Sequence, residues 1–233
     1  MELHETQRPV AVELSIPRAQ AGERSDFYTR YGKRILDFTV AWGVLLLTAP
    51  LLALIALAVK LDSPGPVFFV QERVGKDGRL FKMVKFRTMR VNTDSTIHEV
   101  HVRRLIAENV APQAGESLKL HDDPRITRLG RTLRRLSLDE LPQFVNVLRG
   151  EMSVVGPRPE LPYAVAAYPA WYHDRFRAMP GITGYWQVAA RNRVSYEEMI
   201  ILDIEYYERQ SLWFDLALIG RTPFSMLSGA GAG

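Results

Sequence analysis

Two adjacent carboxylates, Asp139 and Glu140, stand in the segment Ser137-Leu138-Asp139-Glu140-Leu141-Pro142-Gln143, directly after a run of arginines at 125, 128, 131 and 135. Neighbouring residues on a helix point about 100° apart, so the pair converges on one site only at a helix end. Pro142 argues for such an end, because proline is tolerated in a first turn and costly further in; the helix start is predicted near Ser137 to Asp139. There the helix dipole favours ionised carboxylates, suiting Asp139 to act as a nucleophile. The competing reading is a capping box, with Ser137 and Glu140 satisfying each other's backbone amides. A second group follows in Gly156-Pro157-Arg158-Pro159, where two prolines restrain the backbone around an arginine whose planar fork suits phosphate. Pro180-Gly181-Ile182-Thr183-Gly184 adds a loop through which backbone can approach a ligand, with Gln187, Arg191 and Asn192 as polar groups beyond it. Carboxylates, restrained arginines and a permissive loop suggest phosphoryl transfer with a divalent metal.

The elements that must position these groups begin with an apolar stretch, Ile35 to Val59, 25 residues whose only charge is Asp37. As a helix rising about 1.5 Å per residue it is long enough for a bilayer core of roughly 30 Å. Lys33 and Arg34 precede it and Lys60 follows. Basic residues at both ends favour both ends on one side of a membrane, and Pro50 bends the helix near its middle. A bent helix that returns and a kinked crossing are both open on these residues; Thr48 is expected to satisfy a carbonyl that the proline frees. A lipid phosphate then becomes a natural reactant for the neighbouring carboxylates.

Asp62-Ser63-Pro64-Gly65-Pro66 stops the helix, and VFFVQERV and RLFKMVKFRTM read as a β-hairpin turning at Asp77-Gly78. Residues 91–120 read as an irregular loop with a short helix around Glu99–Glu108. A basic amphipathic helix is predicted to start at Asp123-Pro124, with Asp123 as cap, Ile126, Leu129, Leu133 and Leu136 on one face and the arginine stripe beside them. Later helices are rich in aromatics, Trp171, Tyr172, Trp213 and Phe214 among them, which suit either a core or headgroup depth.

Composition narrows the classes. The 233 residues contain no cysteine, which removes disulfide scaffolds, thiolate zinc sites and cysteine nucleophiles. The first 25 residues have neither the basic start nor the apolar core of a signal peptide. A net charge of +4 suits anionic partners without choosing among them. A nucleic-acid binder leaves the apolar stretch unexplained and lacks a binding motif. A membrane scaffold gripping anionic lipid through the arginine helix has no use for adjacent carboxylates beside restrained arginines.

From Lys33 to about Leu227 the chain resembles the bacterial sugar transferases of the monotopic polyprenyl-phosphate phosphoglycosyl transferase family. KRILDF, the proline-broken stretch, FKMVKFRTM, LRRLSLDELPQFVNVLRGEMSVVGPRPE, PGITGYWQV and LDIEYYERQSLWFDLALI carry the resemblance in this order. It implies a mainly helical α+β fold: an N-terminal arm over 1–32, a re-entrant membrane helix over 33–62, a cytosolic catalytic domain over 63–227 with a small hairpin and membrane-surface amphipathic helices, and a flexible tail over 228–233. It implies residence on the cytosolic face of the inner membrane. It implies a two-step reaction in which Asp139 attacks the sugar-bearing phosphate of a UDP-sugar, releases UMP, and passes the phosphosugar to polyprenyl (undecaprenyl) phosphate. Glu140 would be the partner in the dyad, with Mg2+ held near both carboxylates. Lys85, Arg134, Arg158, Gln187 and Arg191 would bind substrate, while Asp203, Tyr206 and Asp215 would buttress the last helical segment. Ala49-Pro50 replaces the family's Ser-Pro at the helix break, and the chain reads as the minimal catalytic form. Membrane lipid is an expected partner, nucleic acid is not, and a homodimer is compatible with the sequence.

Overall fold

The computed structural model describes residues 27–90, 96–109, 123, 125–190 and 194–227. The expectations for Arg191, Asn192, Pro124, the first 26 residues, the tail at 228–233 and most of the 91–122 loop therefore lie outside the described residues.

A π-helical turn, Tyr28–Gly32, leads without a break into helix α1, Lys33–Asp62. The last residues of the expected arm belong to the fold: Tyr28 is buried and its hydroxyl donates to Asp215 Oδ2 at 2.5 Å. Helix α1 runs 30 residues with Pro50 inside it, about 45 Å at ideal rise. Thr48 does not satisfy the carbonyl that Pro50 leaves free at Leu46. Its hydroxyl donates to its own i−4 carbonyl, Val44, at 2.7 Å, the closest acceptor for a helical threonine.

The buried positions of α1 sort into two groups. Lys33, Asp37 and Ala41 are buried at one end, Ile55 and Val59 at the other, and no residue from 42 to 54 is. At the first end Lys33 Nζ donates to Asp215 (2.7 Å), Tyr206 (3.0 Å) and the Val155 carbonyl (3.0 Å), and Asp37 accepts from Ser153 and the Val154 amide. At the other, Ile55 and Val59 pack with Phe86 and Leu133, and Arg87 donates to the Ser63 carbonyl (2.6 Å) and the Pro64 carbonyl (2.8 Å). Between them Leu46, Leu47 and Leu54 are exposed.

Strands β1 (Phe68–Val74) and β2 (Leu80–Phe86) form the expected antiparallel hairpin, with Phe68 opposite Phe86 and Val74 opposite Leu80. Asp77 and Gly78 both take positive φ in its turn, the geometry that suits the strands' twist. Helix α2 covers Thr96–Glu108. Helix α3, Arg128–Arg135, starts later than the sequence predicts, with Thr127 as cap accepting from the Gly130 amide. The residues before it are drawn into strand-like pairing instead: Thr127 N donates to Thr88 O, Arg90 N to Arg125 O, and Ile126 bridges to Met89. Asp123 accepts a bidentate ion pair from Arg125 rather than capping, so Arg125 leaves the stripe while Arg128, Arg131 and Arg135 stay exposed on α3.

A 3₁₀ turn, Leu138–Glu140, precedes α4, Gln143–Arg149. Strand β3 (Ser153–Val155) pairs in parallel with β4 (Gly181–Thr183). Between them lie α5 (Pro162–Val165) and a 3₁₀ stretch, Ala170–Arg177; after them come α6 (Tyr185–Ala189), α7 (Tyr196–Glu208) and α8 (Leu212–Leu227). The main core forms around β3 and β4 from Ala41, Met83, Val147, Val155, Ile182, Tyr206 and Leu218. The aromatics divide between the two expected roles, Tyr172 and Phe214 buried in cores, Trp171 and Trp213 facing outward, Trp213 79% exposed. The result is mainly helical with two small sheets.

Candidate active site

The chain reaches the carboxylate pair by a sharp turn. Helix α3 ends at Arg135, Ser137 adopts a left-handed conformation at φ 54°, and Leu138–Glu140 wind one 3₁₀ turn before Pro142 caps α4. Ser137 makes no capping hydrogen bond, so the capping-box reading fails; a residue at positive φ aims its side chain away from the following amides. Pro142 stands at the cap, one position ahead of the helix.

Around this turn the fold assembles five of the expected residues. Glu140 Oε1 accepts from Lys85 Nζ at 3.1 Å and from Arg158 Nη2 at 3.0 Å, two cations on one oxygen. Arg134 comes from the last turn of α3 and donates from Nε to Thr88 Oγ1 at 3.1 Å. Asp139 is 7% exposed, and no hydrogen bond or ion pair engages its carboxylate among the described residues. The two acids are thereby differentiated. Burial, then the charge of Glu140, pushes Asp139 above the usual carboxylate range against the pull of Lys85, Arg134 and Arg158. Burial also penalises the charge of Glu140, but Arg158 and Lys85 outweigh it and hold Glu140 well below that range. Burial brings Lys85 down to about 8, opposed by Glu140.

Lys85 reaches the site because β2 is locked to α4. Asn146, wholly buried, accepts from the Val84 amide at 3.1 Å and donates to the Lys82 carbonyl at 2.8 Å. Sequence reading misses Asn146; its signal is a second amide, after Gln143, on the buried side of a short helix. Arg73 is also missed. It lies on β1, donates to the Pro159 carbonyl at 3.1 Å, and burial followed by the nearby charge of Arg158 lowers it to about 10. A charged residue on a strand of alternating character gave little sign of facing the site.

The two loops singled out in the sequence meet backbone to backbone. A Cβ on Gly156 would stand 2.1 Å from the Met179 carbonyl, and one on Gly181 would stand 2.1 Å from the Gly156 amide. The glycines of the second loop are needed for this backbone contact. Gln187 sits at it as well, its side-chain oxygen 3.1 Å from where a Gly184 Cβ would be and without a hydrogen-bond partner among the described residues. Ion pairs and electrostatic interactions join Asp139, Glu140, Lys85, Arg134 and Arg158; among the described residues Gln187 takes no part in them, and Arg191 lies outside those residues.

The carboxylate pair suits a magnesium ion that takes one or two carboxylates, substrate phosphates and several waters. Asp139 has both oxygens uncommitted, and no third Asp, Glu or His joins them to make an all-protein cage among the described residues.

The family described as bacterial sugar transferase matches residues 28–229. The chain is 43% identical over 205 residues to the UDP-galactose-lipid carrier transferase of Erwinia amylovora, covering 88% of this chain and 42% of that protein. It is 41% identical over 194 residues to the exopolysaccharide production protein ExoY of Rhizobium meliloti, covering 82% and 83%. It is 41% identical over 203 residues to the UDP-glucose:undecaprenyl-phosphate glucose-1-phosphate transferase of Escherichia coli, covering 82% and 39%. The chain thus spans about two fifths of the first and third of these relatives and most of the second. With more than four fifths of its length matched, the chain belongs to the bacterial sugar transferase family.

Proposed function

We propose that this chain transfers a hexose 1-phosphate from a UDP-sugar to undecaprenyl phosphate at a membrane surface, an early step in exopolysaccharide or related glycan synthesis. The observation that carries the reading is the buried, uncommitted carboxylate of Asp139 beside a Glu140 already neutralised by Lys85 and Arg158. An oxygen of Asp139 attacks the sugar-bearing phosphorus, the bond to the bridging oxygen breaks, and UMP leaves with that oxygen. The resulting aspartyl phosphosugar is then attacked by a phosphate oxygen of the polyprenyl carrier, which frees Asp139 and yields the polyprenyl diphosphate sugar. Arg158, Lys85 and Arg134 balance the negative charge of the two phosphates, Arg158 through its planar fork. Asp139 and Glu140 would hold Mg2+, which neutralises charge developing on the phosphate oxygens.

The same reading places α1 as a re-entrant helix with the active site on the cytosolic face of the inner membrane. Its support is the docking of both helix ends on one domain, through Lys33 and Asp37 at one end and Arg87 at the other, while the middle is exposed and apolar. A helix whose ends lay on opposite sides of a bilayer would leave one of those polar clusters with no partner.

The test is UMP release by the purified chain in lipid nanodiscs containing undecaprenyl phosphate, with UDP-glucose and UDP-galactose as donors. Release that needs both the carrier and Mg2+ for repeated turnover, and that vanishes in Asp139→Asn, is the expected result. Undiminished release by Asp139→Asn would overturn the assignment.

A further inference from the structure

Arg158 is held by its backbone as well as its prolines. Four consecutive carbonyls around it accept hydrogen bonds from different parts of the fold: Pro157 from the Gly181 amide (2.8 Å), Arg158 from Arg175 Nη2 (3.1 Å), Pro159 from Arg73 Nη1 (3.1 Å) and Glu160 from the Val74 amide (2.8 Å). Arg175 is the hub. It is fully buried in the 3₁₀ stretch, and besides the Arg158 carbonyl it donates to Asp203 Oδ2 (2.6 Å), Glu160 Oε1 (3.2 Å) and the Tyr168 hydroxyl (2.8 Å). Asp203, on α7, is fully buried too.

A buried ion pair adds little net stability over apolar packing of the same volume, because desolvating two charges offsets their attraction. What it supplies here is direction: Asp203 and Glu160 fix the guanidinium so that one nitrogen meets the Arg158 carbonyl. We infer that Arg175, oriented by Asp203, is a positioning residue that sets the Arg158 side chain against Glu140. It touches neither donor nor acceptor and acts through the 157–160 backbone. Arg175→Lys keeps a charge for Asp203 but cannot span Asp203, Glu160 and the Arg158 carbonyl together.

The kinetic half of this inference rests on the proposed transferase activity; the structural half does not. Hydrogen exchange at the Val74 and Gly181 amides, which donate to the two outer carbonyls, reads the hold on the segment directly. Arg175→Lys and Asp203→Asn should each speed exchange at both amides about tenfold or more while amides of α4 keep their protection. Tyr168→Phe, which removes only one hydroxyl, should produce a smaller acceleration with an unchanged melting temperature. Unchanged exchange at Val74 and Gly181 in a folded variant overturns the inference. In turnover, Arg175→Lys should lower kcat for UMP release about 10- to 100-fold, as expected when a charge-stabilising group is misplaced. The double variant Arg158→Lys/Arg175→Lys should be no slower than Arg158→Lys alone, since both changes act on one group. Multiplied losses would show independent action and overturn it. Absence of UMP release by the unaltered chain would strike the transferase reading, and exchange would still decide the positioning role.

Discussion

Asp139 and Glu140 share a peptide bond, yet Glu140 is surrounded by cations and Asp139 is left free to react. This division gives the pH dependence a definite sign. Under the proposed chemistry Asp139 must be ionised to attack, so UMP release should rise with pH through its raised pKa, an acid limb that belongs to the coupled dyad. Lys85 carries its full charge below about 8 and loses it as pH rises through that value, so kcat/KM should fall on the alkaline side near pH 8. Lys85→Arg should move that alkaline limb upward, because guanidinium keeps its proton there; an unmoved limb would assign it to another group. Arg158→Lys should lower kcat about 10- to 100-fold without unfolding the chain, as an ammonium cannot reproduce the planar fork. Unchanged kinetics would reduce Arg158 to a structural residue.

At the scale of elements, the close approach of β3 and β4 is the contact on which the site depends. Gly156→Ala would drive a methyl group against the Met179 carbonyl, backbone against backbone, and should lower Tm by about 5 °C or more. Gly43→Ala, in α1 with nothing within 4 Å of the added carbon, should leave Tm unchanged or raise it. Equal effects from the two would contradict the packing described. Much of this level was legible in the sequence: the hairpin follows from alternation and an Asp-Gly turn, and α1 from its unbroken apolar run. The start of α3 was not, because Asp123-Pro124 carries a good local cap signal while long-range pairing with residues 88–90 decides the outcome. The capping box is absent because Ser137 takes a left-handed conformation between the two helices, a backbone state that its residue type does not announce. Lys85, Arg134 and Arg158 could be named in advance, but Asn146 and Arg175, which place Lys85 and Arg158, show their use only once strands and helices are packed.

For the whole molecule, the decisive property is that one domain grips both ends of a 30-residue apolar helix. The chain has no cysteine, so single cysteines can report its topology directly. Tyr31→Cys and Asp62→Cys, near the two ends of α1, should both react with a membrane-impermeant maleimide from the same face of oriented vesicles. Labelling from opposite faces would show a crossing helix and detach the membrane part of the account from the chemistry. The proposed re-entrant arrangement would hold Asp139 beneath the lipid headgroups, within reach of a water-soluble donor and a lipid-bound acceptor. The most direct test of the chemistry is intact-protein mass spectrometry after incubation with UDP-glucose or UDP-galactose and Mg2+ in the absence of undecaprenyl phosphate. The account expects a mass increase equal to one hexosyl phosphoryl group, mapped to Asp139, absent in Asp139→Asn and discharged when undecaprenyl phosphate is added. An active preparation that forms lipid-linked sugar while remaining unmodified at Asp139 throughout would contradict it.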